Sequence, residues 1–255
     1  MPEQPPAGVA SLDVTGEFDQ IGRHYDRLTG MSPGYRRQLR CSAAALIASV
    51  TGPDGCARPS GRRLRFADLG CGSGASTRAL VDELTAAGLP FAIDAIDASA
   101  GMLQAARAKP WPSGVSFRQL RAEELVADGV RYDGILAAYL LRNVPDGRRD
   151  ALLTTLRESL VPGGALVLHD YCVRGRFRDE LAWTALNWGV IIPSAVVVTR
   201  RPALFTYLWR SVLAFDSQEQ LMDRLVRARY DDVRARGVPG WQSGLVRIVH
   251  GRRPR

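Results

Sequence analysis

The stretch Asp68-Leu69-Gly70-Cys71-Gly72-Ser73-Gly74 decides the fold of this chain. It includes the end of Arg65–Leu69, a short run with the pattern of a β-strand. It precedes Ser76–Ala87, whose apolar residues recur at helical spacing. A glycine-rich turn between a strand and a helix lets the backbone approach a ligand closely, and the amino end of the helix faces that ligand. A glycine motif alone is a weak signal, so the residues around it must identify the ligand.

Two acidic residues near the loop indicate which ligand it binds. Asp68 precedes the first glycine, and Asp97 follows the second predicted strand, Phe91–Ile96. A carboxylate at the first position can hold a cationic amino group but would repel the pyrophosphate of a dinucleotide. A carboxylate at the second position can accept hydrogen bonds from both hydroxyls of a ribose. S-adenosylmethionine carries both a cationic amino group and a ribose, so we expect it as the ligand. A nicotinamide or flavin site, or a glycine turn without a ligand, are the alternatives.

Strands and helices alternate through most of the chain, which predicts an α/β fold with a mostly parallel sheet and helices on both faces. Residues 17–50 are predicted to form an N-terminal helical lead-in. Residues 172–215 are rich in apolar and aromatic side chains and are predicted to form a helical lid. Residues 1–16 are rich in Pro and predicted to be a disordered tail. The chain is thus expected to hold one domain over residues 17–255.

Composition narrows the class of protein. The formal net charge is +8, but the arginines are spread along the chain, and we see neither a flipped-base motif nor interleaved aromatic and basic residues. Nucleic acid is therefore not an expected partner. The four cysteines form no CxxC pair, so we expect no metal site and no disulfide framework. The sequence shows neither a long apolar run nor a signal-peptide pattern, which favours a cytoplasmic location.

Several segments together carry a family resemblance. Asp68–Gly74, Ala95–Leu103 and Leu160–Gly164 resemble class I S-adenosylmethionine-dependent methyltransferases. More narrowly, the chain resembles the menaquinone and ubiquinone biosynthesis C-methyltransferase family. That narrower resemblance is carried by Phe18–Ile21, Tyr25-Asp26, Leu141–Val144, Tyr207–Val212 and Gly244–His250. It implies a Rossmann-like sheet of seven strands, the last of them antiparallel.

The glycine loop, Asp97 and their neighbours are the expected binding site for the cofactor. The expected cofactor-binding residues are Tyr25, Asp68, Gly70, Cys71, Gly72, Ser73, Gly74, Asp97, Ala98, Met102, Ala122, Glu123 and Tyr139. The family usually has an acidic or amide residue before the alanine beside the adenine. Arg121 stands there in this chain, so Ala122 is left with its backbone and Glu123 is the expected substitute.

Three residues are candidates for the chemistry of methyl transfer. Arg142 follows Ile135–Leu140, the predicted fourth strand, and as a permanent cation it can stabilise a developing phenolate. Asn143 can orient a hydroxyl group. His169 ends the fifth predicted strand, and its ordinary pKa suits a general base. The alternatives are an arginine that holds a loop, a turn asparagine and a structural histidine.

The resemblance implies transfer of a methyl group from S-adenosylmethionine to a hydrophobic aromatic small molecule, with S-adenosylhomocysteine as the product. The expected reaction is ring C-methylation of a demethylmenaquinol-like quinol. Leu140 replaces a glycine that is usual in the family, and His169 replaces an apolar residue, so two alternatives stay open. One is methylation of a soluble natural product or another small molecule at oxygen, nitrogen or carbon. The other is a descendant that binds the cofactor without methylating.

Arginines border the apolar stretches of the predicted lid, including Arg174, Arg176 and Arg178. Such a border suits peripheral contact with an anionic membrane, from which a lipid quinone would be taken. Solvated helix ends are the alternative explanation. The oligomeric state is not predictable from these patterns.

Overall fold

A computed structural model describes residues 34–52, 62–193, 196 and 202–255. Within them, seven strands form one sheet in the order β3-β2-β1-β4-β5-β7-β6. The strands are β1 (Leu64–Leu69), β2 (Phe91–Asp97), β3 (Val115–Gln119), β4 (Tyr132–Ala138), β5 (Leu160–Tyr171), β6 (Asp231–Gly237) and β7 (Val246–Arg252). Strands β1 to β5 are parallel, and β7 is antiparallel to both β5 and β6. The predicted seven-stranded, mostly parallel sheet is confirmed.

Helices cover both faces of this sheet. They are α1 (Tyr35–Thr51), α2 (Ala75–Ala86), α3 (Ala100–Arg107), α4 (Asp146–Glu158), α5 (Phe177–Leu186), α6 (Pro202–Leu213) and α7 (Gln218–Arg227). Two 3₁₀ segments span Ala122–Asp128 and Leu141–Asn143, and a π-helical turn at Asn187–Ile191 extends α5.

The core follows from the alternation of side chains along each strand. Leu64 and Phe66 of β1 pack on the side of α1 and α2, whereas Ala67 and Leu69 face α4 and α7. Every residue of β4 is buried, as expected for a central strand covered on both faces. The two apolar layers hold the carboxyl ends of β1, β2 and β4 at one edge of the sheet.

Strand β4 ends two residues earlier than predicted. The prediction placed its end at Leu140, but Tyr139 adopts a left-handed conformation with φ 57° and breaks the strand after Ala138. The Tyr139 N–H still donates to the carbonyl of His169 at 2.7 Å. The turn redirects the chain across the sheet edge and into the 3₁₀ turn that carries Arg142.

Two predicted segments are only partly described. Helix α1 accounts for much of the predicted lead-in, while residues 1–33, including Tyr25 and the predicted tail, lie outside the described residues. Helices α5 and α6 lie within the predicted lid region, 172–215. Among the described helices, none is both long and apolar enough to cross a bilayer.

Candidate active site

A cleft of about 210 Å³ opens at the carboxyl ends of β1, β2 and β4. The strand order reverses between β1 and β4, and ligands of open α/β sheets bind at such a reversal. The cleft is lined by the glycine loop, the end of β2, the segment 120–123 and the segment 138–145. Most of the described cofactor candidates and two of the three catalytic candidates, Arg142 and Asn143, therefore line one cleft, although they come from distant parts of the chain.

The glycine loop needs glycine for its conformation. Gly70, Gly72 and Gly74 have φ values of 69°, 53° and 92°, which L side chains rarely adopt. The Gly70 N–H donates to the Ile96 carbonyl at 2.8 Å, which fixes the loop against β2. A Cβ on Gly70 would lie 3.1 Å from the Leu140 side chain. The loop thus exposes backbone to the cleft where a side chain would crowd it.

Gly74 does not line this cleft, contrary to its prediction as a cofactor contact; it turns the chain into α2 beneath Trp111. In a Gly74→Ala variant the new Cβ would lie 2.8 Å from the Trp111 ring, in addition to the strain of φ 92°. We expect a loss of about 2–4 kcal/mol in the free energy of unfolding. Gly88→Ala is the control, since Gly88 has φ 62° with nothing within 4 Å and should lose only about 1 kcal/mol. Equal losses in urea denaturation would show that the Trp111 contact is irrelevant.

Asp97 lines the cleft at the end of β2. Its Oδ2 accepts from the Gly72 N–H at 2.8 Å, and its Oδ1 accepts from the Ser99 N–H at 2.9 Å. The side chain remains partly exposed and lines the cleft. A carboxylate has about four acceptor positions, so one side chain can accept from several donors at once. Asp97 therefore links the glycine loop, the start of α3 and the predicted ribose position.

Asp68 has a different role from the predicted one. Its side chain is fully buried and does not line the cleft; Oδ2 accepts from the hydroxyls of Ser76 at 2.8 Å and Thr77 at 2.6 Å. Burial raises the pKa of Asp68 to about 6, against the lowering effect of the two hydroxyls. The carboxylate thus holds the first turn of α2 behind the loop. The strand-end position was predicted correctly, but the direction of the side chain was not.

The remaining described cofactor candidates surround the cleft. Cys71, Ser73, Ala98, Met102, Ala122, Glu123 and Tyr139 all line it. Met102, Leu120 and Ala122 form an apolar wall beyond Asp97, which suits a flat base. Arg121 stands where the family usually has an acidic or amide residue, and its exposed guanidinium lies 3.9 Å from the Glu123 carboxylate. Such an exposed ion pair contributes little to stability. Backbone loop, hydroxyl-accepting acid and apolar wall together fit S-adenosylmethionine.

Arg142 lies in the cleft and is held by a carboxylate. Its Nη1 donates to Asp170 Oδ1 at 2.8 Å, and its backbone N–H donates to Asp170 Oδ2 at 3.3 Å. Both side chains are almost wholly buried, with 8% and 2% exposed. The guanidinium also lies 5.1 Å from the centre of the Tyr139 ring. A guanidinium fixed in this way presents its donors in one direction.

Asn143 lies next to Arg142 and also lines the cleft. Its Nδ2 donates to the Tyr139 carbonyl at 3.2 Å, which stabilises the strained turn. Its buried Oδ1 has no hydrogen-bond partner among the described residues. Buried polar atoms are almost always satisfied, so an orphan acceptor beside a cleft points to a donor supplied by a ligand or water.

His169 is not placed as the predicted base. The ring is fully buried, does not line the cleft, and forms a hydrogen bond through Nδ1 with the hydroxyl of Ser42 in α1. Burial, and then the Arg142 charge, lower the pKa of His169 to about 3, so the ring is neutral and only weakly basic. It packs edge-on against Tyr139, with ring centres 4.7 Å apart. The structural alternative describes this residue better.

The His169 environment predicts a pH effect on stability. The unfolded chain protonates near pH 6.5 but the folded ring only near pH 3, so the unfolded state binds more protons between these values. Stability present above pH 6.5 is therefore lost as the pH falls through this window. We expect wild type to lose about 1 kcal/mol per pH unit relative to His169→Gln, which keeps a hydrogen-bonding group for Ser42 but does not titrate. Urea denaturation from pH 7.5 to 5 measures the difference, and parallel curves would contradict it.

Aromatic residues that the sequence did not single out extend the site. Tyr35 at the start of α1 stacks on Tyr139 at 5.9 Å, and Tyr171 lies 5.4 Å from the same ring. Tyr171 in turn contacts Trp183 of α5 at 4.5 Å. Tyr35 lines the cleft with Tyr139, so an aromatic surface runs from the cleft to the predicted lid. In the sequence, the position of Tyr35 within the predicted lead-in was the one signal for this aromatic surface.

Comparisons with known proteins agree with this geometry. Residues 66–164 match the family described as methyltransferase domain. The demethylmenaquinone methyltransferase of Mycolicibacterium vanbaalenii is 30% identical over 248 residues, which cover 96% of this chain and 95% of that protein. That of Streptomyces avermitilis is 27% identical over 254 residues, covering 95% and 97%. The magnesium protoporphyrin IX methyltransferase of Synechocystis, solved with bound S-adenosylhomocysteine, shares the fold at a TM-score of 0.61, 17% identity and coverage of 94% and 97%.

The fold and the cleft define a class I S-adenosylmethionine-dependent methyltransferase. The protein is thus an enzyme, and its methyl donor is S-adenosylmethionine. Within that class, the chain belongs to the family of demethylmenaquinone and ubiquinone/menaquinone biosynthesis C-methyltransferases.

Proposed function

We propose that this enzyme methylates a ring carbon of a demethylmenaquinol-like quinol. The similarity over nearly the whole chain to two demethylmenaquinone methyltransferases is the observation that carries the proposal. That similarity extends beyond the methyltransferase domain into the lid region and the last strands. The acceptor side of the cleft adds independent support.

The bound cofactor supplies a methyl group on a sulfonium that is already activated. The protein must therefore align the acceptor and exclude water. We assign Asp97 to the ribose hydroxyls, the loop from Gly70 to Ser73 to the methionine portion, and Met102 and Ala122 to the adenine, because these groups line one continuous wall. This arrangement leaves the side of Tyr139 and Arg142 for the acceptor.

A quinol carbon becomes nucleophilic when the neighbouring hydroxyl loses its proton. Arg142 lines the cleft next to Asn143, and its guanidinium is held in place by Asp170. It can therefore donate to the developing phenolate oxygen. Asn143 Oδ1 can accept from a second hydroxyl. Tyr139 offers an aromatic surface for the ring. Arginine stays protonated at neutral pH, so the phenol proton must pass to another acceptor, such as water. Once the ring carbon has taken the methyl group from the sulfonium, that carbon loses its own proton and the oxygen is reprotonated as the ring regains aromaticity.

The test incubates the protein with S-adenosylmethionine labelled in the methyl group and with demethylmenaquinol that carries a short side chain. Label in the ring methyl of the product, located by mass spectrometry, is the expected result. A side-by-side incubation with the quinol that already carries the ring methyl group controls for O-methylation. No ring label under conditions where S-adenosylhomocysteine binds would refute the quinol proposal.

A second candidate rests on Leu140. Its side chain lies against Gly70, at the boundary between the loop and the acceptor side, where the family usually has glycine. The bulk of leucine there favours a smaller acceptor, such as a soluble phenolic compound. Label in soluble phenols but not in the quinol would select this function, and Leu140→Gly would then be expected to improve turnover of the quinol.

A further inference from the structure

Helix α5 has an inverted amphipathic pattern. Phe177, Leu181 and Trp188 of α5 and its π-helical extension follow helical spacing and are 77%, 57% and 54% exposed. The opposite side carries Trp183 and Asn187, which are buried. The outward side is thus apolar where a surface helix of a monomer would normally be polar.

Positive charge borders this face. Arg174, Arg176 and Arg178 are all exposed at the amino end of α5. Acidic side chains balance part of this charge: Glu180 accepts from the Gly175 N–H at 2.8 Å, and Arg176 lies 3.6 Å from the Glu219 carboxylate. Asp179 lies against Gly244, and Arg174 and Arg178 remain exposed beside the apolar face. The segment therefore presents apolar side chains next to guanidinium groups.

We propose that the outward face of α5 and its π-helical turn docks on an anionic lipid bilayer. Phe177, Leu181 and Trp188 enter the interfacial region, and the arginines at positions 174 and 178 bind lipid phosphates. Charge complementarity argues for this occupant, because exposed guanidinium groups lie beside exposed apolar side chains, a combination that binds anionic bilayer surfaces. A second copy of the chain is an outcome of the test below.

The face also has a route to the cleft. Trp183, on the buried side of α5, contacts Tyr171, and Tyr171 contacts Tyr139 in the cleft wall. Docking therefore places the membrane on the side from which an aromatic, apolar path leads to the acceptor position. This last point rests on the proposed quinol function, whereas the docking itself does not.

Flotation of the full chain with vesicles tests the proposal without any substrate. We expect binding to phosphatidylglycerol/phosphatidylcholine vesicles that weakens with salt, and little binding to phosphatidylcholine alone. Phe177→Ser with Trp188→Ser should weaken partitioning about tenfold or more. Arg174→Gln with Arg178→Gln should weaken it about tenfold. Trp241→Ser and Arg131→Gln, at exposed positions elsewhere, are the matched controls and should bind like wild type.

Three outcomes would overturn the proposal: no vesicle binding by wild type, equal binding by wild type and the α5 variants, or binding that ignores lipid charge. A wild-type dimer that the α5 variants dissolve, seen by light scattering without vesicle binding, would assign the face to a second copy instead. Methylation of the short-chain quinol is measured separately on the same variants. If neither wild type nor any variant methylates the quinol, the quinol function is refuted while the vesicle result stands.

Discussion

Replacing Asp97 with alanine is expected to lower kcat/KM for methyl transfer by a factor of about 10² to 10⁴. The estimate follows from two hydrogen bonds between ribose hydroxyls and a charged acceptor, each worth about 1.5–3 kcal/mol. The same carboxylate also holds the N–H groups of Gly72 and Ser99, so its removal loosens the loop as well. Titration calorimetry with S-adenosylhomocysteine should show that most of the loss is in binding of the cofactor.

Two variants define the cause of that loss. Asp97→Asn keeps one acceptor oxygen and should retain an intermediate affinity. Asp94→Asn removes a carboxylate from the same strand, where it binds Arg65 and Ser116 away from the cleft. It should lower stability but leave the affinity for S-adenosylhomocysteine unchanged. If Asp94→Asn weakened the affinity as much as Asp97→Ala does, the effect would come from the fold rather than from ribose contacts.

The loop and Asp97 were predictable because their determinants are local. Positive φ values favour glycine, and a residue that ends a parallel strand reaches the edge where ligands bind. Asp68 and His169 lie near the ends of their strands as well, but both side chains are buried away from the cleft, because the direction of a strand side chain depends on what packs beside it. The partner of His169 is Ser42, 127 residues away, and no local pattern indicates that contact.

Neighbouring residues of β5 illustrate the same limit. His169 and Asp170 are adjacent, so the pleat of the strand directs their side chains to opposite faces. His169 meets α1, while Asp170 meets Arg142 and becomes the residue that positions it. A shift of one residue would exchange their roles. The sequence pattern ended this strand at His169, whereas β5 continues to Tyr171, and only the packing of α1 shows which residue is directed toward Arg142.

Arg142→Ala is expected to lower kcat about 10²- to 10³-fold while the affinity for S-adenosylhomocysteine changes little, because the guanidinium is proposed to stabilise charge on the acceptor. Arg142→Lys keeps the positive charge but not the planar set of guanidinium donors, so we expect an intermediate kcat. The single alanine variant also leaves Asp170 as a buried, unpaired carboxylate, at a cost to stability of about 3–5 kcal/mol. Activity must therefore be compared at matched folded fractions, determined by circular dichroism.

A double variant separates the chemical role of Arg142 from its structural role. Arg142→Gln with Asp170→Asn removes both buried charges and can preserve a hydrogen bond, so much of the stability lost in Arg142→Ala should return. If Arg142 acts on the acceptor, kcat stays low in this stable protein. If the pair only holds the 3₁₀ turn against β5, kcat recovers together with stability. Recovery of both would assign the phenolate to another donor in the cleft, with the Asn143 amide the first to examine.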